Sequence, residues 1–170
     1  MKTFFATLLL VITFAGITQA QKFAYVDSEY ILDNIPEYKD AQKKLDEMSK
    51  TWQKEIEDKY AEIDKLYQSY QAEQILLTDE MKAKRENDIV EKEKAVKALQ
   101  KQRFGTDGEL FKKRQELVKP IQDKIYNTVK ELADEGTYAC IFDKSGANML
   151  YSNSKYDKSD DVLQKMGYKK

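Results

Sequence analysis

No glycine or proline interrupts residues Glu37–Phe104, which read EYKDAQKKLDEMSKTWQKEIEDKYAEIDKLYQSYQAEQILLTDEMKAKRENDIVEKEKAVKALQKQRF. Only 19 of these 68 residues are large and apolar, too few to fill a compact core. They recur instead every three or four positions, which predicts long helices that pair along one narrow apolar stripe. The stripes are Leu45, Met48, Trp52, Ile56, Tyr60, Ile63, Tyr67 and Tyr70, and then Met81, Ile89, Val96 and Leu99.

The period breaks at residues 75–80, where Thr78 or Asp79 can cap a new helix. We therefore predict that the chain reverses there. The result is a long antiparallel helical hairpin, a coiled-coil arm, in which the numbers of facing residues sum to about 157. We call the apolar interface between its two helices the seam.

Two glycines lie in the returning half of this hairpin. Gly105 and Gly108 weaken a helix relative to alanine, and the predicted register places Trp52 opposite Gly105. We expect the glycines to make room beside the indole. Two roles fit them at this point, a hinge that lets the arm open or a fixed kink that accommodates Trp52.

Strand-forming residues lie at both ends of the chain. Residues 22–27 predict one strand, residues 138–142 and 148–151 predict a β-hairpin, and residues 157–166 predict a short closing helix. Three strands with two open edges bury little apolar area, so we expect this body to self-associate. The residues assigned to oligomerisation are Phe23, Tyr25, Val26, Cys140, Ile141, Phe142, Met149, Leu150 and Tyr151.

Residues 1–20 are typical of a cleaved export signal. Lys2 precedes a continuous apolar run, and small residues stand at positions 18 and 20. The run is too short for a stable bilayer span. Export would leave the only cysteine, Cys140, without an intramolecular partner, and we expect it to be buried and inert. The predicted organisation is therefore a leader at 1–20, a β body from 21–35 and 118–170, and a hairpin arm at 36–117.

Composition excludes several classes of function. The 29 basic and 30 acidic residues leave a net charge of -1, so no cationic field recruits nucleic acid. With no histidine and one cysteine, the chain lacks the parts of a histidine-based triad, a Cys/His nucleophile pair or a Cys/His zinc cage. We predict a protein that is not an enzyme and binds no metal or cofactor.

The order of these segments resembles the Skp/OmpH family of periplasmic chaperones across the whole mature chain. The specific part of the resemblance is KFAYVD at 22–27, VKPIQDKI at 118–125, YACIFD at 138–143, NMLY at 148–151 and DDVLQKM at 160–166. The resemblance implies a periplasmic homotrimer with a small intersubunit β-barrel and three helical arms. These arms would clamp unfolded outer-membrane proteins without ATP. Well-known members are strongly basic whereas this chain is slightly acidic, so no lipopolysaccharide site is carried over.

A holdase must expose apolar groups that accept many client sequences. The candidates for client binding are Tyr60, Tyr67, Tyr70, Leu76, Leu77 and Met81. The alternative for each is that it packs in the seam. A second function stays open for the whole chain, that of an envelope structural or adaptor protein that docks one folded partner through the hairpin tip at residues 76–79.

Overall fold

The computed structural model describes residues 21–168, so the predicted leader lies outside the described residues. The chain divides into two compact units, which we call the hairpin unit, residues 32–125, and the terminal unit, residues 21–31 and 126–168. Among residues 21–168, none of the helices combines the length with the hydropathy that a bilayer span requires. The elements in chain order are β1 (Lys22–Val26), α1 (Ser28–Asp33), α2 (Pro36–Glu73), α3 (Asp79–Phe104), α4 (Glu109–Gly136), β2 (Tyr138–Asp143) and α5 (Ser159–Lys165).

Helices α2 and α3 form the antiparallel hairpin that the sequence predicts. Pro36 lies in the first turn of α2, where its missing N–H costs nothing, and the helix then runs for 38 residues, about 57 Å at 1.5 Å per residue. The chain reverses through a 3₁₀ turn at Gln74–Leu76. Thr78 caps α3, because its hydroxyl accepts a hydrogen bond from the Met81 amide at 3.3 Å. The predicted reversal and its cap are confirmed.

Polar pairs across the seam fix the register of the hairpin. The Arg85 guanidinium lies 2.9 Å from the Glu73 carboxylate, Tyr70 donates a hydrogen bond to Glu86, and Arg103 lies 3.5 Å from Glu55. The numbers in each pair sum to between 156 and 158, in agreement with the predicted register. Between these pairs the buried core of the seam consists of Ile56, Ile63, Tyr70, Ile89 and Val96.

The returning half of the hairpin is broken outright, not merely weakened, between Phe104 and Glu109. A Cβ atom at Gly105 would clash with the Lys101 carbonyl oxygen, and one at Gly108 would lie 2.8 Å from the Gly105 nitrogen. The backbone of the break itself therefore requires both glycines. The three nearest atoms to each of these Cβ positions belong to Lys101, Arg103 or Gly105 and not to Trp52, so room beside the indole is not what requires the glycines.

The terminal unit contains two strands, not three. Strands β1 and β2 pair in parallel, with Phe23 opposite Cys140 and Val26 opposite Asp143. The predicted strand at 148–151 is wrong, and so is the β-hairpin that contained it. The other edge of β1 is instead approached by the segment before α5, where Asp157 bridges Tyr25 and the Lys158 amide donates to the Tyr25 carbonyl at 2.9 Å.

Hydrogen bonds of a single carboxylate hold the end of β2. Asp143 accepts hydrogen bonds from the Ser145 amide at 3.1 Å and from the Ser28 hydroxyl at 2.6 Å. The bond from Ser28 ties the end of β2 to the start of α1. Cys140 lies in β2. Among the described residues this strand pairs only with β1, and Cys140 is exposed. The prediction that this cysteine is buried is wrong.

The Asp143 carboxylate makes the terminal unit sensitive to acid. Partial burial raises its pKa, but the hydrogen bonds from Ser28 and Ser145 outweigh burial and hold the pKa below its usual value. A lowered pKa in the folded state stabilises the fold above the unfolded-state pKa, about 3.9, and this contribution disappears as pH falls through the folded-state pKa. We expect Asp143→Asn to show a smaller drop in urea midpoint between pH 7 and pH 3 than the wild type. Asn148→Ser, at an exposed position of the same unit that carries no carboxylate, should keep the full drop.

Candidate functional site

The hairpin tip exposes two adjacent aliphatic side chains. Ile75 is 94% exposed and Leu76 is 85% exposed, and Met81 is about half exposed just beyond them. Leu77 instead packs against the buried seam cluster. Ile75 was missed as a candidate, although three consecutive apolar residues in one turn cannot all reach the same narrow seam. That pattern was the signal that could have found it.

The three candidate tyrosines divide between the seam and its rim. Tyr70 is buried, in the same row as Ile56 and Ile63, which precede it at intervals of seven residues. Its hydroxyl donates to Glu86, and this hydrogen bond together with burial raises the pKa of Tyr70. Tyr60 and Tyr67 lie four residues beyond Ile56 and Ile63, and both are exposed. Tyr70 and Leu77 therefore take the packed alternative, whereas Tyr60, Tyr67, Leu76 and Met81 remain accessible.

Polar contacts hold the backbone of the tip while its apolar side chains stay outside. The ion pair between Arg85 and Glu73 bridges the last turn of α2 and the first part of α3. Both groups are partly exposed, so the pair contributes no more than about 1 kcal/mol. With the Thr78 cap, it nevertheless defines where the turn begins and ends. The tip is a formed structure that presents Ile75 and Leu76 to solvent.

The terminal unit carries a second exposed apolar surface. The rings of Phe23 and Phe142 stack with centroids 6.3 Å apart, and the residues are 48% and 46% exposed. Leu150 and Tyr151 are also exposed, as is Cys140. Of the other residues assigned to oligomerisation, Tyr25 and Val26 are buried in the chain's own core, and Ile141 and Met149 are half-buried.

Comparison with known proteins decides the family. The family model described as "Outer membrane protein (OmpH-like)" matches residues 22–166. The chain belongs to the OmpH-like family. An uncharacterized protein of Aquifex aeolicus (strain VF5) is 28% identical over 166 residues, which cover 98% of this chain and 96% of that protein. The resemblance inferred from the terminal segments is confirmed.

The fold is also found in a solved structure. An OmpH-like protein of Caulobacter crescentus CB15, assigned as an outer membrane chaperone, superposes with a TM-score of 0.69. The match covers 87% of this chain and 85% of that one at 11% sequence identity, so it bears on the fold alone. The predicted fold class, long helices that form a hairpin together with a small β part, is confirmed for this OmpH-like protein.

Proposed function

We propose that this OmpH-like protein is an ATP-independent holdase chaperone that binds unfolded outer-membrane proteins in the periplasm. The observation that carries the proposal is the almost complete exposure of Ile75 and Leu76 on a hairpin whose seam is filled by its own residues. Adjacent exposed aliphatic side chains on a formed turn mark an interaction site. Family membership supports a chaperone role.

The composition of the exposed surface favours many clients over one. Tyr60 and Tyr67 offer aromatic area with a polar hydroxyl, and Met81 adds a flexible thioether. These groups lie on two helices and are exposed, so they can contact apolar segments of varied sequence. Each contact is weak, and binding would depend on their sum.

Self-association is the second part of the proposal. The exposed pair Phe23 and Phe142, with exposed Leu150 and Tyr151 in the same unit, supplies apolar surface that a partner copy would cover. We propose a homotrimer, the assembly that the family resemblance implies, with residues 21–35 and 118–170 as the oligomeric body and 36–117 as the client-binding arm. The leader at 1–20 would direct export.

One experiment tests holding and assembly together. Size-exclusion chromatography with light scattering is run on residues 21–170, alone and after a urea-unfolded outer-membrane barrel is diluted into the sample. The proposal predicts a mass of three chains and a soluble complex with the barrel. A monomer that leaves the barrel to precipitate would contradict it. Tight binding of one folded partner instead would favour the adaptor function.

The tip provides a prediction that separates these two functions. The double variant Ile75→Ser/Leu76→Ser removes apolar contacts worth about 1 to 2 kcal/mol in total. We expect the affinity for unfolded clients, measured by fluorescence titration, to fall about fivefold to thirtyfold. Gln71→Ser, at an exposed position of α2, should bind as the wild type does. Complete loss of binding in the double variant would indicate a docking site for a single partner.

A further inference from the structure

The break between α3 and α4 is a compact turn with its own hydrogen bonds. The Gly105 amide donates to the Lys101 carbonyl at 2.8 Å, and the Gly108 amide donates to the Gly105 carbonyl at 2.8 Å. The Lys112 amide then donates to the Gly108 carbonyl at 3.1 Å, which starts the first turn of α4. Gly108 is buried. The two helices therefore meet in one defined geometry.

Side chains reinforce that geometry across the break. The Gln102 side-chain amide donates to one oxygen of the Glu109 carboxylate at 2.7 Å, and Arg103 donates to the other oxygen. The hydrogen bond from Gln102, followed by that from Arg103, holds the pKa of Glu109 below its usual value. The first residue of α4 is thus held by the last turn of α3 through both of its carboxylate oxygens.

The same arginine also reaches the outgoing helix. The Arg103 guanidinium lies 4.7 Å from the centre of the Trp52 ring and 3.5 Å from the Glu55 carboxylate, both on α2. The Trp52 and Phe104 rings are nearly perpendicular to each other, with centroids 6.3 Å apart. A guanidinium can stack on an aromatic face and bind carboxylates in the same plane. One side chain therefore connects three helices at the point where the returning helix is broken.

We propose that Arg103 is a latch that holds the α3–α4 break against α2, and that its release lets the helices flex at Gly105 and Gly108. The latched state leaves the Arg103 Nε atom buried without a hydrogen-bond partner among the described residues. Released into solvent, Nε would regain its hydrogen bond with water, which offsets part of the free energy of breaking the interactions with Trp52 and Glu55. The buried Nε atom therefore lowers the free energy needed to release the latch. A consequence that rests on the proposed function is that an open latch admits larger clients.

The chain provides its own reporter for this latch, because Trp52 is its only tryptophan. Arg103→Gln removes the cation, and Arg103→Lys keeps the charge but loses the planar fork. Lys101→Gln is the matched control, since it removes the same charge from the same last turn of α3 at an exposed position. Spin labels at Lys97→Cys and Arg114→Cys, in a Cys140→Ser background diluted with unlabelled chains, measure the distance across the break.

We expect Arg103→Gln to raise the population in which the break is released from α2 about fivefold, because this is the change that loss of one partly exposed ion-pair network produces. Acrylamide should quench Trp52 more strongly and the distance distribution should broaden, while helical circular dichroism stays unchanged. Salt at about 1 M should increase Trp52 quenching and broaden the distance distribution in the wild type but not in Arg103→Gln. At that concentration the Debye length is about 3 Å, so the ion pairs of Arg103 are screened. Arg103→Lys should show the same changes more weakly, and it carries the test if Arg103→Gln fails to fold.

Unchanged quenching and distances in both arginine variants would overturn the latch, as would equal changes in Lys101→Gln. These readouts need no client, so they are separate from the proposed function, which is tested by whether the wild type holds an unfolded barrel. If the wild type holds clients, Arg103→Gln should gain more affinity for a large barrel than for a small one. An equal effect on both would remove the link between the latch and client size.

Discussion

Replacing Val96 with aspartate should destabilise the hairpin unit by about 3 to 5 kcal/mol, because an unpaired charge would be buried in the seam. Val96 is 3% exposed, and it and Ile89 are the buried residues of α3. A helix of 26 residues with so few anchors depends on each of them, since an isolated polar helix is marginal in water. Urea unfolding followed by circular dichroism measures the loss.

The neighbouring residue supplies the control for this prediction. Ala95 is exposed on the same turn of α3, so Ala95→Asp adds the same charge outside the seam. A surface change of this kind stays within about 0.5 kcal/mol of the wild type. If the two variants lost equal stability, Val96 would not be an anchor of the hairpin and the register would need revision.

The hairpin could be predicted from sequence because its determinants are local. Apolar spacing of three and four residues fixes which face of each helix is buried, and Thr78 marks where the second helix begins. Once the reversal is placed, the register follows by counting, as the pair Tyr70 and Glu86 shows. The sequence predicted a weakened helix at Gly105, whereas the structure has a complete break there. Helix propensity gives the cost of a glycine within a helix, but it does not predict the turn that forms when the helix ends.

The terminal unit was harder to predict because strand pairing is not local. The residues at 148–151 have strand propensity and were expected to pair with β2, yet they form no strand, and the edge of β1 is bridged by Asp157, further along the chain. Propensity alone cannot tell whether a segment with strand-forming residues finds a partner strand. The exposure of Cys140 follows from the same cause, since the predicted neighbouring strand is absent from the described sheet.

Only part of the candidate site could be predicted, because residue spacing does not show which residues of an apolar stripe are buried. Spacing placed Tyr60, Tyr67 and Tyr70 on one stripe, but a seam between only two helices covers a single row, and Tyr70 occupies it. The interactions of Arg103 were missed because a polar cluster across helices leaves no periodic signal. The register itself contained a clue, since it placed Trp52 next to the last turn of the returning helix, where Arg103 lies.

The double variant Phe23→Asp/Phe142→Asp should convert the proposed trimer into single chains. The two rings stack on the surface of a two-stranded sheet, and each is about half exposed in the chain by itself. An assembly that covers this pair would have to bury two carboxylates per chain without partners. The cost is several kcal/mol, so the association constant should fall by about a thousandfold or more. Light scattering at a range of protein concentrations measures the change.

Gln164→Asp, on the exposed side of α5, adds a charge to the same unit away from the aromatic pair and should leave the mass at three chains. Because Phe23 and Phe142 are already half exposed, the double variant should keep its helical circular dichroism, which separates loss of assembly from loss of folding. A folded monomer that no longer keeps the unfolded barrel soluble would indicate that client holding requires several arms. A variant that stays trimeric would exclude this aromatic pair from the oligomer interface and leave Leu150 and Tyr151 as the surface to test.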